Sequence, residues 1–125
     1  LLVAGEPDFV PRRVRDWLKA EARREIARRA EAHAEALGCR IRRITLRDTV
    51  SRWGSCSSDG RLSFSWRLML APAEVLEYVV AHEVAHLREM NHSAAFWRIV
   101  AQRCPYHAEA RAWLKRHGAQ LYRYA

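Results

Sequence analysis

The chain has 125 residues, a formal net charge of +8, and apolar or aromatic side chains at half its positions. That length gives one domain with room for a core, and that composition excludes a disordered segment. No apolar run is long enough to span a membrane. Cys39, Cys56 and Cys104 form no CxxC pair and are odd in number, which argues against a disulfide framework and for a reducing, cytoplasmic setting. Leu1-Leu2-Val3-Ala4 is too short for a signal peptide and lacks a basic leader. It reads as the tail of a strand, the expectation being a chain that begins inside a longer protein.

Pro11 suits the first turn of a helix, and Val14, Leu18, Ala22, Ile26, Ala30 and Ala34 then recur every four residues. This predicts one long amphipathic helix over 11–37, stopped by Gly38. Its other faces carry Arg12, Arg13, Arg15, Arg23, Arg24, Arg28 and Arg29, a candidate phosphate-binding stripe for nucleic acid. Interspersed Asp16, Glu21, Glu25, Glu31 and Glu35 favour a solvated, self-paired face instead. Residues 41–49 switch to strand alternation around Ile44 and Leu46, Ser57-Ser58-Asp59-Gly60 signals a turn, and Leu62, Phe64 and Trp66 alternate with Ser63 and Ser65. Pro72 opens a largely apolar core helix over 72–90. Ser93 can cap a third helix to Gln102, and a last helix over 106–117 is expected to end at Gly118. The five tryptophans read mainly as core, and His33, His107 and His117 as surface residues.

The core helix contains His82-Glu83-Val84-Ala85-His86, with His92 following. Histidines four apart stack one turn above each other, so both imidazoles can reach one zinc ion. Glu83 sits about 100° round the helix from His82, off the axis of the pair. There it can touch a metal-bound water and act as general base. The third ligand is His92 or Glu89. Glu89, farther along the same helix, would approach with poor tetrahedral geometry, whereas His92 follows a break and can come from another direction. Three ligands leave a position open for water and predict a catalytic site with one Zn2+ per chain. A fourth ligand from Cys56, in a loop that approaches the metal, would make the site structural instead. Tyr78, one turn before His82, either orients an intermediate or simply packs. Arg52, Arg67 and Tyr78 are the candidates for contacting an oxyanion or substrate.

Arg52-Trp53-Gly54-Ser55-Cys56-Ser57, Trp66-Arg67-Leu68, Ala71-Pro72, the run from Tyr78 to Leu87, Asn91-His92-Ser93 and Phe96-Trp97 together resemble the YgjP-like metallopeptidase domain family over about residues 40–118. More distantly the chain is similar to SprT-like and WLM-type proteases, including the Spartan group that degrades proteins crosslinked to DNA. The resemblance implies an α+β, compact zincin-like domain over 1–125. A long N-terminal helix, a small antiparallel sheet packed on the HExxH helix, and two C-terminal helices make it up. It implies His82, His86 and His92 as zinc ligands, Glu83 as catalytic base, an edge strand that receives an extended peptide, and a loop from Arg52 to Ser57, Trp53 and Cys56 included, bracing the site. The chain departs from the family at Ser65, where Asn is expected, and in its N-terminal strands, of which Leu1 to Ala4 is at most the end. Three functions are open on this reading: a zinc peptidase, a metal-dependent hydrolase of a non-peptide amide or ester, and a DNA-associated protease or binding module using the basic helix.

Overall fold

A computed structural model of the chain describes residues 11–48 and 52–121. The strand expected at Leu1 to Ala4 lies outside them. The first helix, α1, runs Arg12–Leu37 and buries Leu18, Ala22, Ile26, Ala30 and Ala34, the four-residue stripe of the sequence. Gly38 has φ 69°, and the Cys39 and Gly38 amides donate to the Ala34 and Glu35 carbonyls at 2.9 and 3.2 Å. This is a Schellman end, which a residue with a Cβ would strain. Trp17 is 52% exposed and belongs to no core, a correction to the expectation for the tryptophans. It sits one residue off the buried stripe, on a face that no other described element covers.

Three strands follow: β1 (Arg43–Arg47), β2 (Gly54–Cys56) and β3 (Arg61–Ser65), in the order β1-β3-β2. The sheet was expected to be antiparallel and is mixed. β2 runs antiparallel to β3, but β1 pairs parallel with β3, Ile44 opposite Leu62 and Leu46 opposite Phe64. Strand alternation sets which face a residue occupies and carries no information about the direction of its neighbour, so sequence alone left this open. β3 is the central strand and buries Leu62 and Phe64. Ser65, buried where the family resemblance leads one to expect Asn, accepts the Arg67 amide and caps a 3-10 turn over Trp66–Leu70.

The central helix α2 (Ala73–Ala85) buries Val75, Leu76, Tyr78, Val79, Val80, Ala81, Val84 and Ala85 on nearly all sides. It touches α1, β2, β3 and both later helices. It was expected to reach residue 90 and stops at Ala85. Beyond it the amides of His86, Leu87 and Arg88 bond to carbonyls three residues back, at 3.1, 2.9 and 3.1 Å. This tightened end uses the last carbonyls of α2 and turns the chain away from the helix axis. Ser93 caps α3 (Ala94–Arg103) by accepting the Phe96 amide at 3.3 Å. The last helix, α4, runs His107–Leu121, through the glycine expected to end it. A Cβ on Gly118 would lie 3.2 Å from Trp53 Cζ2, so this glycine permits a helix to approach an indole rather than stopping the helix.

His33, read as a surface histidine, is 2% exposed and ties three helices together. Its Nδ1 accepts from Arg103 Nε of α3 at 2.8 Å, and its Nε2 bonds to the Glu77 carboxylate of α2, which also pairs with Arg29 of α1. Cys39, Cys56 and Cys104 are all free thiols. Among the described residues no helix is long and apolar enough to cross a membrane.

Candidate metal centre

His82 lies in the last turn of α2, His86 at its C-cap, and His92 beyond the turned end. Their ligand nitrogens all lie within 4.8 Å of one another, the only such group of three among the described residues. His86 Nε2 and His92 Nε2 are 3.2 Å apart. Two nitrogens bound tetrahedrally to one zinc, each at about 2.0–2.1 Å, are separated by about 3.3 Å. The donor set therefore fits a zinc-sized cation. Two further observations agree. The Glu89 carbonyl accepts from His86 Nδ1 at 2.9 Å, which holds the proton on that nitrogen and leaves the Nε2 lone pair for a ligand. His82 Nδ1 is buried without a hydrogen bond; Glu83 Oε2 lies 3.3 Å away but out of line for one. Glu89 thus contributes its backbone to His86, and its carboxylate is not in the ligand group.

The imidazoles are held by α3. The fully buried Phe96 ring lies 5.0, 4.4 and 4.9 Å from the rings of His82, His86 and His92, stacked on His86 at 24°. Trp97 stacks beside His92 at 6.0 Å and meets His82 edge-on at 5.8 Å. Burial, then the neighbouring His82 and His86, pushes the His92 pKa below its ordinary value and favours the neutral imidazole that a metal requires.

Glu83, 7% exposed, faces β2. A Cβ on Gly54 would lie 2.9 Å from Glu83 Cγ and 3.2 Å from Oε2, so this strand presses on the carboxylate. Trp53 braces the same strand: its carbonyl accepts the Ser65 amide at 2.9 Å and its indole lies against Gly118 of α4. The Ser57 amide donates to the Arg61 carbonyl at 2.9 Å. With Ser55 opposite Ser63, the antiparallel alternation directs the backbone groups of Trp53, Ser55 and Ser57 to β3, and those of Gly54 and Cys56 to the open edge. That edge, with Arg52 and Met90, lines a cleft containing all three histidines and Glu83. A second cleft shares His82 and His92 and is lined by Tyr78, Trp97 and Arg111.

The remaining sequence candidates divide. Cys56 lines the first cleft but is outside the ligand group, and burial, then Glu83 and Asp59, pushes its thiol up to about 11. Tyr78, 5% exposed, is both packed and at the second cleft. Arg67 is 2% exposed, pairs with Asp48 at 2.5 Å, lies over the Trp66 ring at 5.0 Å, and lines neither cleft. On α1, Arg12, Arg24, Arg28 and Arg29 pair with Asp16, Glu21, Glu25 and Glu77, whereas Arg13, Arg15 and Arg23 have no carboxylate partner among the described residues. Sequence reasoning assigned no role to Phe96, Met90 or Arg111, and none to Gly54 beyond its place in the bracing loop. The spacing of Phe96 behind the Ser93 cap was a signal for the first; the others depend on tertiary contacts.

No curated protein matches the sequence. The crystal structure of the metallopeptidase zymogen of Pyrococcus abyssi abylysin has a similar fold, with a TM-score of 0.63 at 22% identity, covering 79% of this chain and 97% of that one. The YgjP-like metallopeptidase domain matches residues 1–117, including the long first helix that the motifs alone left out, and the chain belongs to that family.

Proposed function

We propose that the protein is a zinc-dependent peptidase in which His82, His86 and His92 hold the metal and Glu83 is the general base. The observation that carries this reading is the meeting of three convergent imidazoles, one buried carboxylate and a strand edge unpaired among the described residues in a single cleft. Bound zinc supplies Lewis acidity, acidifying a water and polarising a carbonyl. Glu83 takes the proton from the attacking water and returns it to the leaving amine. Its position is fixed from two sides, by α2 beneath it and by Gly54 above. Gly54 and Cys56 offer their backbone N–H and C=O groups to an extended chain, which aligns a scissile amide along β2 as an added strand.

The strand edge favours a peptide over a small amide or ester, because an ester of a small alcohol uses none of these backbone groups. Among the described residues the ligand group holds three nitrogens and no fourth donor, which favours an open, catalytic site over a closed, structural one. The test is cleavage of an unstructured chain such as casein by protein stripped with a chelator and reloaded with one equivalent of zinc. The expected result is activity that disappears on stripping and returns on reloading. Hydrolysis of a nitrophenyl ester without cleavage of any peptide would replace this reading with the non-peptide one.

A further inference from the structure

Among the described residues the second cleft is lined by none from the sheet and by none that is acidic. Arg111, an exposed residue of α4, reaches into it with its guanidinium 5.3 Å from the centre of the Trp97 ring. Trp97 in turn stacks beside His92. The planar cation is thus held against an aromatic face rather than free to roam in solvent. No carboxylate among the described residues pairs with it, in contrast to Arg29 or Arg61, whose charges are met by Glu77 and Asp59. Arg13, Arg15 and Arg23 also have no carboxylate partner among the described residues, but they lie on α1 and line neither cleft. Arg111 alone of these lines a cavity with two of the three histidines. Tyr78 lines the same cavity, and its phenol is a second hydrogen-bond donor there.

A guanidinium held over an aromatic face, with five donors and no carboxylate partner among the described residues, matches a carboxylate. Two ring contacts separate it from His92, a reach covered by one to three residues of extended peptide at about 3.3 Å each. We infer that this cleft is a carboxylate-recognition subsite, in which Arg111, backed by Trp97 and assisted by Tyr78, selects peptides bearing a carboxylate close to the scissile bond. The inference rests on the peptidase reading for its substrate class. The carboxylate belongs either to an acidic side chain or to the peptide C-terminus; the chemistry is the same, and the two are separable by experiment.

The probes are fluorescein-labelled octapeptides of one parent sequence: a neutral C-terminal amide, a series with single Gln→Glu changes along it, and the neutral peptide with a free C-terminus. Binding is measured by fluorescence anisotropy to zinc-loaded Glu83→Gln protein, and cleavage is measured with the protein carrying Glu83, both at low salt. At least one carboxylate-bearing peptide should bind about tenfold more tightly than the neutral amide, with a matching rise in kcat/KM. Arg111→Met should abolish that preference, so that carboxylate-bearing and neutral peptides bind alike, and Arg111→Lys should keep part of it. Preference for Glu identifies a side-chain subsite; preference for the free acid identifies a C-terminal one. Equal binding of all peptides, or a preference that survives Arg111→Met, overturns the inference even if cleavage is efficient. An Arg111-dependent binding preference with no cleavage by any form sinks the peptidase reading and leaves the subsite in place.

Discussion

Gly54 and Glu83 are in contact through a missing side chain: the place where a Cβ would stand on Gly54 is 2.9 Å from Glu83 Cγ. An alanine there forces the glutamate side chain, the strand, or both to move. The moving group is the one assigned to accept a proton. Gly54→Ala should therefore leave the protein folded and able to bind one zinc while lowering kcat by about 10²-fold, the cost of a misplacement of about 1 Å. Zinc content and circular dichroism, run beside the peptide assay, separate this from unfolding. A variant with full activity would show that the carboxylate needs no fixed position.

Glu83→Gln is the complementary change. The amide is nearly isosteric and leaves Gly54 its close contact, but it cannot accept the proton. Zinc content and thermal stability should stay near those of the protein with Glu83, and turnover should fall by about 10²–10⁴-fold. Retained turnover of casein would remove Glu83 from the mechanism and leave water activation to another group.

The third ligand is decided by a pair of variants. His92→Ala should lose zinc at stoichiometric loading. Glu89→Ala should keep it, because Glu89 acts on His86 through its carbonyl and not its side chain. Binding requires neutral imidazoles, and the cluster already favours that form of His92. Zinc should therefore be retained at neutral pH and released as pH falls below about 6. Full zinc in His92→Ala with loss in Glu89→Ala would reverse the assignment.

What could be read from the sequence was whatever is repeated or local. The four-residue stripe from Leu18 to Ala34 specified α1, Gly38 specified its end, and Ser93 specified the start of α3. The histidine spacing named the residues that converge, because helical geometry alone brings His82 and His86 together. What could not be read depends on partners distant in sequence. Gly118 has the chemistry of a helix stop but serves Trp53, 65 residues earlier. The parallel pairing of β1 with β3 is invisible to side-chain alternation. His33 sits in the Ala30–Ala34 stretch of an amphipathic helix, and nothing local says that an arginine of α3 and a glutamate of α2 will enclose it. Arg111 looks like one more charge on a basic chain until α4 is placed against Trp97.

That enclosed cluster yields the last prediction. His33 and then Arg29 hold the Glu77 carboxyl below its ordinary value of 4.5, with burial working against them. A carboxylate with a depressed folded pKa stabilises the fold at pH above its unfolded value, and the contribution is lost as pH falls through the lower folded value. Glu77→Gln keeps the shape but removes the carboxylate shared by Arg29 and His33, leaving Glu25 as the remaining carboxylate on Arg29. In metal-free protein at pH 7 it should cost about 3 kcal/mol and lower Tm by about 10 °C. The difference should narrow as pH drops below 4.5, where the unfolded chain's Glu77 takes up its proton, and reach its minimum below the lower folded value. Thermal melts of both proteins across that range, with chelator present so that zinc release does not intrude, provide the measurement. A difference that is constant with pH would mean that the network contributes through packing and hydrogen bonds, and that the charge on Glu77 has no part in holding α1, α2 and α3 together.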